Sequence, residues 1–178
     1  MITIENLDSD GLGREAGALA GILHACVLAG ASVSFIQPFS PADALAFWTG
    51  PVARALAGGK RRLLVARDGS GHIVGTVQLD MDTPPNQAHR GEVAKMLVHP
   101  AARRQGIAGK LMSELLAIAQ AEGRWLVTLD TRVNDAAQPL YASLGFELAG
   151  IIPDFARDPE PGSDRYDGTA YMYRITRP

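Results

Sequence analysis

From residue 107 onward the apolar side chains Ile107, Ala108, Leu111, Met112, Leu115, Leu116 and Ala119 recur at helical spacing, while Arg104, Lys110, Glu114 and Glu122 fall largely between them. This pattern predicts an amphipathic helix over Ile107 to Glu122, ended by Gly123. Nearer the start, Asp8-Ser9-Asp10-Gly11 supplies cap residues for a helix over Arg14 to Leu28 that Gly30 ends. Another helix is predicted after Ser40-Pro41, with Ser40 as cap and Pro41 at the first helical position. Its apolar contacts are Leu45, Phe47, Trp48, Val52 and Leu56, and Gly58-Gly59 stops it. Short β-type runs cover Ile2 to Glu5, Arg62 to Arg67 and His72 to Leu79, the last two joined by the hairpin composition Asp68-Gly69-Ser70-Gly71. Pro84-Pro85 keep Asp82 to Asn86 in a loop, because proline cannot donate to a sheet ladder. Strands follow over Glu92 to Val98, Trp125 to Asp130, Phe146 to Ile152 and Thr169 to Ile175, with a short helix over Ala136 to Leu144 closed by Gly145. Strands with interspersed helices predict a mixed α/β domain of the α+β type with one predominant sheet.

Composition narrows the function classes. With 178 residues, 47% hydrophobic and 20% charged, residues 1–178 are expected to form one soluble domain. Seventeen Lys+Arg against nineteen Asp+Glu give a net charge of -2, so no overall positive field draws the chain to nucleic acid or anionic lipid, and any anion site must be local. The Ala/Gly-rich stretch Ala16 to Ala31 contains His24 and falls short of the roughly 20 residues that span a bilayer, so it reads as a packed helix. The first residues lack the basic and apolar regions of a signal peptide, and Cys26 has no partner for an internal disulfide, so the cytoplasm is the expected compartment. Cys26, inside an Ala/Leu helix, reads as a small core residue rather than an acyl-carrying nucleophile. His24, His72, His89 and His99 show no paired ligand spacing, and no metal is expected.

Candidate chemistry concentrates in Pro100-Ala101-Ala102-Arg103-Arg104-Gln105-Gly106-Ile107-Ala108-Gly109, between a strand and a helix. Small residues let the backbone approach a ligand, and the free N–H groups of the first helical turn suit a phosphate or pyrophosphate. A Walker A loop is excluded, since Gly106 and Gly109 are too close and Lys110 is followed by Leu111. A dinucleotide fingerprint is excluded because Ala108 replaces one glycine and the third is absent. A solvent-exposed turn of small residues is the competing reading of the loop taken alone.

Arg103-Arg104-Gln105-Gly106-Ile107-Ala108, after Met96-Leu97-Val98-His99-Pro100, resembles the pyrophosphate-binding signature of the GCN5-related N-acetyltransferase (GNAT) superfamily. Asn134-Asp135-Ala136-Ala137-Gln138-Pro139-Leu140-Tyr141, ending at Gly145-Phe146, resembles its second signature, with Pro139 as a departure. Within the superfamily, Gly30-Ala31-Ser32-Val33, Lys95-Met96-Leu97-Val98, Leu129-Asp130-Thr131 and Asp167-Gly168-Thr169-Ala170 are most similar to the branch containing tabtoxin-resistance acetyltransferase. The resemblance implies a single mixed, mostly antiparallel central sheet flanked by helices, with acetyl-coenzyme A as cosubstrate. It places the pantetheine along Met96, Leu97 and Val98, and the pyrophosphate at Arg103, Arg104, Gln105, Gly106, Ile107, Ala108 and Gly109. Asn134 is implied as a pantetheine contact, with helix capping as its structural alternative, and Tyr141 as the acid beside the thioester sulfur, with a core aromatic as the alternative.

Acyl transfer also needs a neutral amine, which arrives mostly as ammonium. Glu92 opens one strand and Asp130 ends its buried neighbour, so both are candidates for base or ammonium anchor, against strand-end or turn roles. The resemblance implies an acceptor pocket formed by the Ser32 to Phe35 region, Trp48, Asp130 and a loop over Asp154 to Asp167, although Phe35 and Trp48 fit a core equally well. The expected activity is transfer of an acetyl group to a primary amine of a small molecule, such as an amino-acid-like compound or toxin. A protein N-terminal or lysine acetyltransferase and a non-catalytic acyl-coenzyme A sensor are the alternatives, and a homodimer is left open.

Overall fold

The structure, a computed structural model, describes residues 1–177. Seven strands form one sheet in the order β1-β2-β3-β4-β5-β7-β6. They are β1 (Thr3–Leu7), β2 (Arg61–Arg67), β3 (Ile73–Asp80), β4 (Arg90–Val98), β5 (Leu126–Arg132), β6 (Glu147–Arg157) and β7 (Tyr166–Ile175). Every neighbouring pair is antiparallel except β4 and β5, which run parallel. The expected mixed, mostly antiparallel sheet flanked by helices is the observed architecture.

The helices are α1 (Ser9–Leu28), α2 (Pro41–Phe47), α3 (Ala53–Ala57), α4 (Ile107–Ala121) and α5 (Ala137–Ser143). Alternation along the strands divides the core between the two sheet faces. Leu64, Val77, Leu79, Val93, Val127 and Leu129 meet α4 and α5 through Leu111, Leu115 and Tyr141. Leu63, Val65 and Leu97 share a second cluster with Leu19 and Leu23 of α1, Ala44 of α2 and Trp48 just beyond α2. Removing the many fully buried leucines from water supplies most of the drive for this two-sided packing, about 1.5–3 kcal/mol for each.

Local chemistry explains the element boundaries. Asp8 caps α1 by accepting from Gly11 N at 2.7 Å, so that helix begins earlier than the apolar pattern alone indicates. Ser40 and Asp43 form a reciprocal capping box at the start of α2. The single helix expected after Pro41 is divided instead, because Pro51 interrupts it in a wide π-helical turn over Trp48–Val52. Pro139 sits in the first turn of α5, where its missing N–H costs little. The expected strand end at Ile152 is a correction: β6 continues through Pro153 to Arg157. As an outer strand β6 tolerates proline, and a register shift between Ile152 and Ala156 absorbs the irregularity. The loop expected over Asp154 to Asp167 is consequently residues 158–165. Buried Asp158 braces it through an ion pair with Arg165.

Candidate active site

Strand β5 pairs with β4 only at Arg90↔Leu126, Gly91↔Val127 and Glu92↔Thr128, after which the two strands part. Beyond that point β4 stays on β3 and β5 stays on β7, which leaves one backbone edge of each facing a gap. A cleft of about 730 Å³ opens there, within the usual range for small-ligand sites. Met96, Leu97 and Val98 line it from β4, and Leu129, Asp130, Thr131 and Arg132 from β5.

The loop at the head of the cleft leaves backbone donors free. Arg104 and Gly106 take left-handed backbone at φ 62 and φ 72, and α4 starts at Ile107 with no side chain capping its first turn. Its first N–H groups therefore remain free donors, backed by the dipole of a 15-residue helix. Arg103, Arg104, Gly106, Ile107, Ala108 and Gly109 line the cleft, with Arg103 Nε 3.5 Å from Val98 O. Gln105 is exposed and lies outside the lining.

Period-two alternation sends Asp130 into the cleft while Leu129 enters the core. Asp130 Oδ2 accepts from Thr169 Oγ1 at 2.9 Å. Glu92 lines the same cavity, is exposed, and pairs with Arg90 at 3.1 Å. Tyr141 reaches the cleft from α5 and is 6% exposed. Burial, with the negative charges of Asp135 and Asp130 added, pushes its phenol well above the ordinary value, so the ring holds its proton. Cys26 is also in the wall, with Sγ 3.4 Å from Val98 O. Burial pushes its thiol up although Arg103 pulls it down, which disfavours a thiolate.

Other expected residues fall elsewhere. Ser32 lines the cavity, whereas Phe35 lies behind that lining, 4.6 Å from the Phe39 ring and 5.3 Å from the Phe47 ring. Trp48 is a correction to the expected acceptor pocket: it is 0% exposed inside the α1 and α2 core and never reaches the cleft. Asn134 lies outside the lining in left-handed backbone. The start of α5 is held instead by Asp135 Oδ1, which accepts from Ala137 N at 2.8 Å, so Asn134 is not the cap.

Three cleft residues were absent from the expected site. Arg132 donates to Gly30 O at 3.3 Å and to Asp167 Oδ2 at 3.4 Å, tying β5 to both neighbouring connections. Thr169 fixes Asp130 from β7, and Lys95 enters from a bulge in β4. Their signal is long-range strand register, which local spacing does not carry.

The model of the acetyltransferase (GNAT) family matches residues 32–146, which include the parting strands, the Arg103 to Gly109 loop and Tyr141. The chain belongs to the GNAT acetyltransferase family. A GCN5-related N-acetyltransferase from Kribbella flavida is 22% identical to this GNAT chain, with TM-score 0.79 and 98% of each chain covered. A GNAT superfamily phosphinothricin acetyltransferase from Sinorhizobium meliloti, solved in complex with AcCoA, is 24% identical, with TM-score 0.76 over 99% of this chain and 92% of its own. At such identities the likeness is one of fold. An uncharacterized protein of Mycobacterium leprae is 38% identical over 85 residues, 47% of this chain, and the match spans 21% of that relative's length.

Proposed function

We propose that residues 1–178 act as one GNAT domain, a cytoplasmic N-acetyltransferase that uses acetyl-coenzyme A to acetylate a primary amine of a small molecule by direct transfer in a ternary complex. The parting of β4 and β5 beneath an uncapped helix start carries this reading. Acetyl-coenzyme A, when bound, supplies the thioester. The free edge of β4 at Met96, Leu97 and Val98 offers backbone partners to the pantetheine amides, as an added strand would use them. The N–H groups at Gly106 to Gly109, with Arg103 and Arg104 beside them, receive the pyrophosphate.

Asp130 and Glu92 divide the work on the amine. Thr169 keeps Asp130 aimed into the cavity, where a carboxylate can anchor the ammonium and take its proton. Tyr141 Oη keeps its proton against ionisation and can deliver it to the departing sulfur. The suppressed thiolate at Cys26 supports direct transfer over an acyl-cysteine route. A cavity walled by the α1–α2 connection, β5 and the ends of β6 and β7 favours a small acceptor over a protein chain. Exposed Leu148, Ile151 and Ile152 on outer strand β6 support association of two copies, which sedimentation analysis would report as a doubled mass.

The test is calorimetric titration with acetyl-coenzyme A, followed by thiol release across a panel of small amines and lysine peptides. Binding with release stimulated by small amines supports the proposal. Release with peptides alone points to a protein acetyltransferase, binding without release to a sensor, and absence of binding overturns the reading of the Arg103 to Gly109 loop.

A further inference from the structure

Lys95 is a cleft residue to which the proposed chemistry gives no task. In β4 two residues, Lys95 and Met96, oppose the single residue Val77, and Lys95 adopts left-handed backbone at φ 50. This bulge sends the lysine toward the α1–α2 connection, the side of the sheet on which Asp130 and Glu92 also stand. Nζ donates to Ser34 Oγ at 3.1 Å and lies 5.5 Å from the Phe35 ring centroid and 5.7 Å from that of Phe47.

No described carboxylate lies within ion-pairing distance of this ammonium. Asp80 pairs with Arg61, Glu92 with Arg90, and Asp130 accepts from Thr169. Burial pushes Lys95 below the ordinary lysine value, Asp130 opposes that, and Arg61 adds to it. The aromatic faces of Phe35 and Phe47 offset part of the desolvation without supplying a counter-ion. A half-buried cation lacking an anion, in a cavity that also carries two carboxylates, is completed electrostatically by a zwitterion.

We infer that Lys95, steadied by Ser34, receives the carboxylate of the acceptor, so that the acceptor is a primary amine of the amino-acid class with its ammonium end toward Asp130 and Glu92. Lys95 is thus a specificity-determining residue, and Phe35 acts by supporting it. The amine end of this assignment rests on the acetyltransferase reading; the carboxylate end has its own measurement.

The decisive experiment titrates the twenty protein amino acids, each beside its carboxamide, onto protein saturated with coenzyme A, using wild type, Lys95→Met and Lys95→Arg. Turnover of the same pairs is recorded with acetyl-coenzyme A. At least one acid is expected to bind about ten- to hundredfold more tightly than its amide in wild type. Lys95→Met removes that preference by raising Kd and KM for the acid alone, and Lys95→Arg keeps part of it. Lys95-dependent acid binding without turnover preserves this inference and contradicts the transferase reading. Turnover with acids and amides treated alike does the reverse. No acid preferred over its amide in wild type, or equal losses for both in Lys95→Met, overturns the assignment.

Discussion

The two edges of β5 behave differently. Against β7 the strand keeps register at seven positions, from Leu126↔Ile175 to Arg132↔Thr169, whereas against β4 it pairs at three and then separates. Hydrogen bonding along one edge fixes the strand, and release along the other leaves donors and acceptors for a ligand. Its faces differ in the same way, with Val127 in the core, Leu129 in the core where it borders the cleft, and Asp130 in the cleft. Stability and chemistry are therefore assigned to opposite sides of one seven-residue strand, so changes to one should largely spare the other.

Tyr141 crosses that division, reaching the gap from the core face, so its hydroxyl should give the largest effect on rate. Tyr141→Phe is expected to lower kcat by about 10²–10⁴-fold while acetyl-coenzyme A affinity, read by calorimetry, stays within a factor of about two. At the head of the gap Gly106 has left-handed backbone with open space around its missing Cβ. Gly106→Ala should weaken acetyl-coenzyme A binding by about ten- to hundredfold through backbone strain and lost approach, with stability falling by about 1–2 kcal/mol in denaturant titration.

Neighbouring residues of β5 provide the direct contrast. Leu129→Ala empties a 2% exposed core position and should cost about 2–5 kcal/mol of unfolding free energy. Asp130→Asn should change stability by less than about 0.5 kcal/mol but lower kcat/KM for the amine by about ten- to hundredfold. Equal stability losses in the two variants would break the division between faces.

The smallest signal is spectroscopic. Tyr141 has its phenol pushed above 10.0 in the folded protein by burial. The stabilisation from its neutral form is complete below the unfolded value and lost only as pH rises through the higher folded one. In an alkaline absorbance titration, wild type should retain two late-ionising phenols of its four tyrosines, Tyr141 and Tyr173, and Tyr141→Phe should lose one of them. Tyr173, raised by its hydrogen bond to Glu147, is present in both proteins and cancels.

Periodicity made much of this division legible. The apolar repeat over Ile107 to Glu122 locates α4 to within a residue of its observed end at Ala121, because both helix and core depend on that repeat. Small residues at Gly106, Ala108 and Gly109 likewise pointed to this loop, and all three line the cleft. Aromatic residues were harder to place, since Trp48 suits a pocket or a core by composition, and its burial depends on packing with α1 and β2, residues distant in the chain. Lys95 was illegible as a cleft residue because one inserted residue in a strand reverses the expected alternation. Thr169 depended on the pairing of β7 with β5 across 39 positions, a contact that no local window contains.

The central claim is that the unpaired edge of β4 receives acetyl-coenzyme A as a strand would. Amide hydrogen exchange of wild type with and without saturating acetyl-coenzyme A tests it at the residues concerned. Slowing confined to Lys95 to Val98 and Gly106 to Gly109, with the β5–β7 ladder unchanged, is the predicted result. Unaltered exchange in β4, or protection located elsewhere on the surface, would contradict the account.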